Sequence, residues 1–396
     1  MSLYSAENER RIRSQALVRE WTKSGLLDPP QGAALEAELR VDVRRTNVFL
    51  RAGLALFTVF IVAASVGLTV EMFYLRDEIS VGVVAGVSAI VCLGLAHYLV
   101  VRQRFYRFGV EEALAVGSVA LIAYSALNLT YGLRLPLRDD NWPLIAGLVA
   151  AAAGGLGIYW RFGYVYAAIG AIACVAAIPF RFEVTPGLQH AAAAAAFAAA
   201  FVLARVRRTP PHDEYPGDDL GLIQAAAWAG LYLRLNLWFM DWRLEGSLYR
   251  MVSPWVGAPF YWFTYVMIWA LPLAGLYLAI RDKDRWLLDV SLVMALVTLL
   301  TNKAYLGWPR HEWDPILLGV VLTAAAVGVR RWLSAGANGQ RGGFTPARIL
   351  SRDAGAVTIL GTVSAGFHPD APSYPESDKT GFDGGRSGGG GATGSY

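Results

Sequence analysis

The run from Arg40 to Val70 constrains this chain more than any other. Four arginines, Arg40, Arg44, Arg45 and Arg51, lie just ahead of nineteen uncharged residues, 52–70. At a rise of about 1.5 Å each, nineteen residues make a helical rod of roughly 28 Å, close to the hydrocarbon thickness of a bilayer. The arginines stay with the cytoplasmic headgroups while the apolar run inserts, and every later span takes its direction from this one. The pattern reads as a polytopic integral membrane protein.

Nine further apolar runs follow: 80–101, 110–133, 142–160, 163–180, 188–204, 220–240, 259–280, 286–302 and 313–329. Runs of this length separate membrane spans from the short elements of a soluble core. The stretch 142–180 carries one charge, Arg161. As a single helix it would reach about 58 Å, too long for one crossing, so two spans with a tight turn at WRFG are expected. Charge checks the parity. On a ten-span reading, Lys and Arg near the presumed cytoplasmic span ends outnumber those of the opposite loops by about two to one. Trp142, Trp160, Trp286, Trp308, Trp313 and Trp332 fall at or near span ends, where an indole is half apolar and half wet.

The expected architecture is an all-α bundle of about ten spans. Residues 1–51 form a cytoplasmic helical hairpin, 52–331 the bundle and 332–396 a Gly-rich cytoplasmic tail, so both termini are cytoplasmic. In the hairpin, Ile12, Ala16, Leu17 and Trp21 share one face of the first helix. Gly25 stops that helix, and Asp28 with Pro29 and Gln31 makes a capping-box start for the second. Leu35, Leu39 and Val43 form its stripe, and no breaker separates it from the first span. The hairpin caps the bundle's cytoplasmic mouth or docks a protein partner. In the tail, 356–360 is too short to span, and the low-complexity end 382–396 is expected to be disordered.

The segment REWTKSGLLDPPQGAALEAELR, followed by a basic stretch and an apolar span, resembles the start of a bacterial family of predicted membrane proteins, domain of unknown function 2157. Trp21, Gly25, Leu26, Leu27, Leu35 and Leu39 carry the resemblance, over roughly the first quarter of the chain. It implies a cytoplasmic-membrane protein of a bacterium with an N-terminal hairpin. The family has no established activity, so no functional residue is carried over.

Ionisable residues at membrane depth are the default functional candidates. Arg234 stands out near the outer end of the seventh span, with Asn236 and Asp241 close in sequence. It reads as an anion-holding group or as a snorkelling side chain. Asn128 and Asn302 are candidate interhelical hydrogen-bond partners. Glu111 and Glu112 open a span, where helix-end electrostatics accounts for them. His97, His190 and Asp289 can each reach an interface and read as structural. The alanine-rich run after His190 suits close packing inside the bundle. The outward loop 238–263 mixes four tryptophans with charge and suggests an interfacial helix over 241–251 acting as a lid.

No P-loop, HExxH or CxxC pattern occurs, and Cys92 and Cys174 fall inside spans as apolar filler. The GxSxG string at 385–389 lies in the Gly-rich tail, without a strand before it or a helix after it. No catalytic residue, cofactor, metal or nucleic-acid partner is expected. Three functions remain open. The first is a non-enzymatic scaffold whose partners are the bilayer and a protein docked through residues 1–51. The second is a small-solute transporter or channel with its site near Arg234. The third is an enzyme acting on lipid-linked substrates.

Overall fold

The computed structural model describes residues 3–4, 6–23, 25–133, 141–208, 218–239, 257–306, 308 and 311–336. Among these, regular structure is helical, apart from one isolated bridge between Arg44 and Phe105. The helices are α1 (Ala6–Lys23), α2 (Pro29–Glu38), α3 (Val48–Met72), α4 (Glu78–Val101), α5 (Val110–Gly132), α6 (Trp142–Phe162) and α7 (Val165–Ala177). They continue with α8 (Pro186–Arg207), α9 (Asp218–Leu235), α10 (Ala258–Asp282), α11 (Arg285–Leu306) and α12 (Asp314–Ser334). Eight of them, α3–α6, α8 and α10–α12, are long and apolar enough to cross a membrane. α7 with its 3-10 continuation to Arg181 is shorter, and α9 is not among the eight. The spans expected at 163–180 and 220–240 correspond to α7 and α9 and fall outside that set. Asp241, the expected helix at 241–251 and the tail from residue 337 lie outside the described residues.

The N-terminal segment departs from the sequence reading in three ways. α2 ends at Glu38, and α3 starts afresh at Val48, with the Asn47 side chain accepting the Leu50 N–H at 2.7 Å. The linker between them is tied down instead. Arg44 N–H donates to Arg104 O, and Tyr106 N–H donates to Arg44 O. Asp28 precedes α2 as expected, but its side chain caps nothing. The face of α1 that packs holds Gln15 and Val18, whereas Trp21 is 38% exposed. A hydrogen bond decides this: Gln15 Nε2 donates to Leu39 O at 2.7 Å, which turns that face toward α2. Gly32 of α2 lies directly beneath Thr22, where a Cβ would not fit.

In the bundle, small residues set the spacing. A Cβ on Gly155 would come 2.8 Å from the Ala167 carbonyl, so α6 and α7 pack at backbone distance. Gly163, with φ of +72°, makes the turn between them. Ser125 of α5 donates to Gly82 O of α4 at 2.7 Å. Two cores result. One joins α4–α7 around Ala96, Leu114, Ile158 and Phe162; the other joins α8–α11 around Trp228, Tyr232, Ile268 and Leu287. Between them, Val165 and Ala168 of α7 pack with Ala204 of α8 and Ile223 of α9. The alanine-rich α8 has 39% of its most apolar window buried, the highest share of the eight long helices. α12 has none.

Candidate functional site

The helices bring charged groups together at one end of the bundle, where α3, α5, α7, α9 and α11 begin. Arg51, in the first turn of α3, holds Glu112 of α5 through both carboxylate oxygens, with Nε to Oε2 at 2.6 Å. This two-point contact is the strong form of the interaction. Tyr166 adds its hydroxyl to the same carboxylate at 3.3 Å. Gly109, at φ +108°, gives α3 room, because a Cβ there would strike the Arg51 carbonyl. Helix-end electrostatics is thus only part of the account of Glu112. Glu111 accepts the Phe108 N–H at 2.6 Å on one oxygen, while its buried Oε2 has no partner.

A second set of ion pairs holds the other core at the same end. Arg208 pairs with the buried Asp284 and reaches Gln224 at 3.4 Å; Arg205 pairs with Asp282 at 2.7 Å. Asp284 also takes the Leu287 N–H at the start of α11. The N-terminus closes over this end. Leu3 N–H donates to Arg161 O at 2.8 Å, and the Tyr4 and Tyr164 hydroxyls lie 3.0 Å apart. Burial pushes the Tyr4 hydroxyl above the usual phenol range, although its bond to Tyr164 pulls the other way.

At the opposite end, α9 stops at Leu235 inside the protein. The backbone groups freed there are met by side chains, as the interior of a membrane protein requires. Tyr305 hydroxyl accepts the Leu237 N–H at 2.6 Å, and Asn236 Oδ1 accepts the Trp238 N–H at 3.2 Å. Asn236 Nδ2 donates to Tyr232 at 3.0 Å and to Thr301 at 3.3 Å, and the Tyr232 and Thr298 hydroxyls are 2.8 Å apart. Asn302 accepts from Tyr265 at 3.0 Å. The result is a buried, largely satisfied hydrogen-bond ladder through α9, α10 and α11.

Arg234 lies on the other side of α9. Its guanidinium sits over the Phe180 ring, 4.9 Å from the centroid, and faces no carboxylate among the described residues. It lines an open groove of about 510 Å³ with Phe180, Gln189, His190, Phe197 and Phe239 among its walls. His190 donates from Nδ1 to the Arg234 carbonyl at 3.1 Å, and its ring meets Phe180 edge-on at 5.1 Å.

Of the residues singled out in the sequence, Asn236 and Asn302 fall in the ladder and Arg234 in the groove. Asn128 is in the other core, donating to Tyr124 O on its own helix at 2.8 Å. Asp241 is outside the described residues. Arg234, Asn128 and Asn302 therefore share no cavity. Sequence reasoning passed over the Arg51–Glu112 and Arg208–Asp284 pairs, the Tyr305 hydroxyl and the Phe180–His190 wall. Among the described residues, no three His, Cys, Asp or Glu side chains gather as a metal would need. No family model, curated protein or solved structure matches this chain.

Proposed function

We propose that this is a non-enzymatic protein of a bacterial cytoplasmic membrane that works by assembling with a partner through its N-terminal helices, residues 1–51. One observation carries the reading. Trp21, Leu26 and Leu35 remain 38%, 62% and 37% exposed on the α1–α2 pair, the most polar part of the described chain. Large apolar side chains left uncovered on a polar element mark contact surfaces. α12 adds a second uncovered surface within the apolar region, since no residue of it is buried.

The same reading has ten crossings, with residues 1–51 and the tail both cytoplasmic and the resemblance to the uncharacterised bacterial family retained. Support for the count comes from end-to-end alternation. The ring pair Phe180–His190 puts the end of α7 beside the start of α8, and the Arg208–Gln224 bond puts the end of α8 beside the start of α9. The seventeen residues Val165–Arg181 reach about 25 Å as a helix, enough for a crossing in a locally thinned bilayer. Support for the orientation is the arginine bias.

Site-specific photocrosslinking tests the function. A photoreactive residue in place of Leu26, in native membranes, should yield a discrete adduct with another protein that a second change, Leu35→Asp, abolishes. Adducts with lipid alone, together with normal growth after deletion of residues 1–39, would overturn the reading. Transport of a small solute past Arg234 is the second reading, and the groove beside that arginine is what favours it.

A further inference from the structure

The groove at the start of α8 and the end of α9 is built unlike the rest of the molecule. Arg234 supplies one cationic group that lies over an aromatic face and, among the described residues, meets no carboxylate. A cation–π contact orients a guanidinium without neutralising it, and leaves N–H donors of the planar fork free for a carboxylate or phosphate. α8 begins beside it, with Pro186 in its first turn and no side-chain cap from Thr185, so the positive end of that helix dipole adds to the same spot. The negative end of α9 is partly neutralised, because His190 takes up the Arg234 carbonyl. Gln189 apart, the remaining walls are apolar. Phe197 lies so close over Gly230 that a Cβ there would overlap its ring, and Leu233 and Phe239 line the groove nearby.

We infer that this groove binds an anionic amphiphile, an apolar chain carrying a single phosphate or carboxylate head. The head pairs with Arg234 and the chain lies along Phe197, Leu233 and Phe239. One cation beside a helix N-terminus suits a single anionic head. A bare inorganic anion would meet too few donors to replace its hydration, whereas an apolar chain finds a wall of its own kind. The volume, about 510 Å³, takes a head and the first part of a chain, and the open side lets the rest run out into lipid. The site stands independently of the partner reading. The same chemistry is offered by a membrane lipid and by a free single-chain amphiphile.

The test uses the full chain in phosphatidylcholine nanodiscs, with dodecyl phosphate as probe and thermal unfolding plus native mass spectrometry as readouts. Wild type should bind dodecyl phosphate saturably, with dodecanol and inorganic phosphate giving no saturable shift. Arg234→Gln should weaken binding at least tenfold. Leu233→Glu, at an exposed position, should do the same by placing a carboxylate beside the arginine, and it serves if the first variant folds poorly. Arg181→Gln, which removes an exposed charge nearby, should leave binding unchanged. Displacement of the probe by phosphatidylglycerol nanodiscs would assign the natural ligand to lipid; failure to displace it would assign a free amphiphile. No binding, equal binding of dodecanol, or undiminished binding by Arg234→Gln and Leu233→Glu would overturn the site.

Discussion

The two ends of the bundle hold Arg208 and Arg234 in opposite ways. At the arginine-rich end, Arg51, Arg205 and Arg208 each meet a carboxylate from another helix or turn, and each pair ties separate elements together. At the far end, Lys303 is paired with Asp314 at 2.6 Å, but Arg234 lies over the Phe180 ring and meets no carboxylate among the described residues. Ions taken from water demand compensation, so paired arginines are explained by the fold that holds them. An arginine without such a pair needs another explanation, in a ligand or in water. The contrast teaches which charges are mortar and which are available.

The largest effect should come from the most buried pair. Asp284→Ala leaves Arg208 without its carboxylate and α11 without its N-terminal acceptor. We expect a loss of about 3 kcal/mol, read as lowered thermal stability of the purified protein. The double variant Arg208→Met with Asp284→Leu should recover most of it, since two apolar side chains need no partner. If the single change costs under about 1 kcal/mol, the arginine-rich end is not held by charge, and the contrast fails. Glu112→Gln should follow at about 1–3 kcal/mol, because Arg51 is a third exposed and water takes over part of its hydrogen bonding.

The eight long apolar helices were legible because hydropathy and length alone measure a helix's affinity for lipid. The turn at Gly163 and the interior place of the alanine-rich α8 followed from similarly local signals. The pairings were not legible. Arg51 and Glu112 are 61 residues apart and Arg208 and Asp284 are 76 apart, and nothing in either neighbourhood names the other. Within an apolar helix every face is apolar, so periodicity does not say which side meets protein and which meets lipid. α1 shows the same blindness in a polar helix: the expected stripe through Trp21 lost to Gln15, whose hydrogen bond to Leu39 no hydropathy scale records. Arg234 was visible as a charge near a span end, but its setting depended on Phe180 and His190 from other elements.

The smaller predictions probe the far end. Asn236→Ala removes two donated bonds and strands the Trp238 N–H, within a ladder where neighbouring hydroxyls can re-pair. We expect a loss of about 1 kcal/mol, in line with hydrogen bonds between membrane helices generally. A much larger loss would show that the break after Leu235 is as firmly held as the arginine-rich end, which would narrow the contrast to Arg234 itself.

Arg234→Gln should do least, shifting stability by under about 0.5 kcal/mol in the absence of any amphiphile. The residue is half-buried, no carboxylate among the described residues depends on it, and its contact with Phe180 is worth little where water reaches the guanidinium. This near-neutral result separates the two ends most sharply, because taking an arginine from its carboxylate costs several-fold more than removing an arginine that meets no carboxylate among the described residues. A loss comparable to that of Glu112→Gln would mean that Arg234 is structural after all, joining α9 to the segment after α7 through Phe180, and the groove would then be a by-product of that attachment.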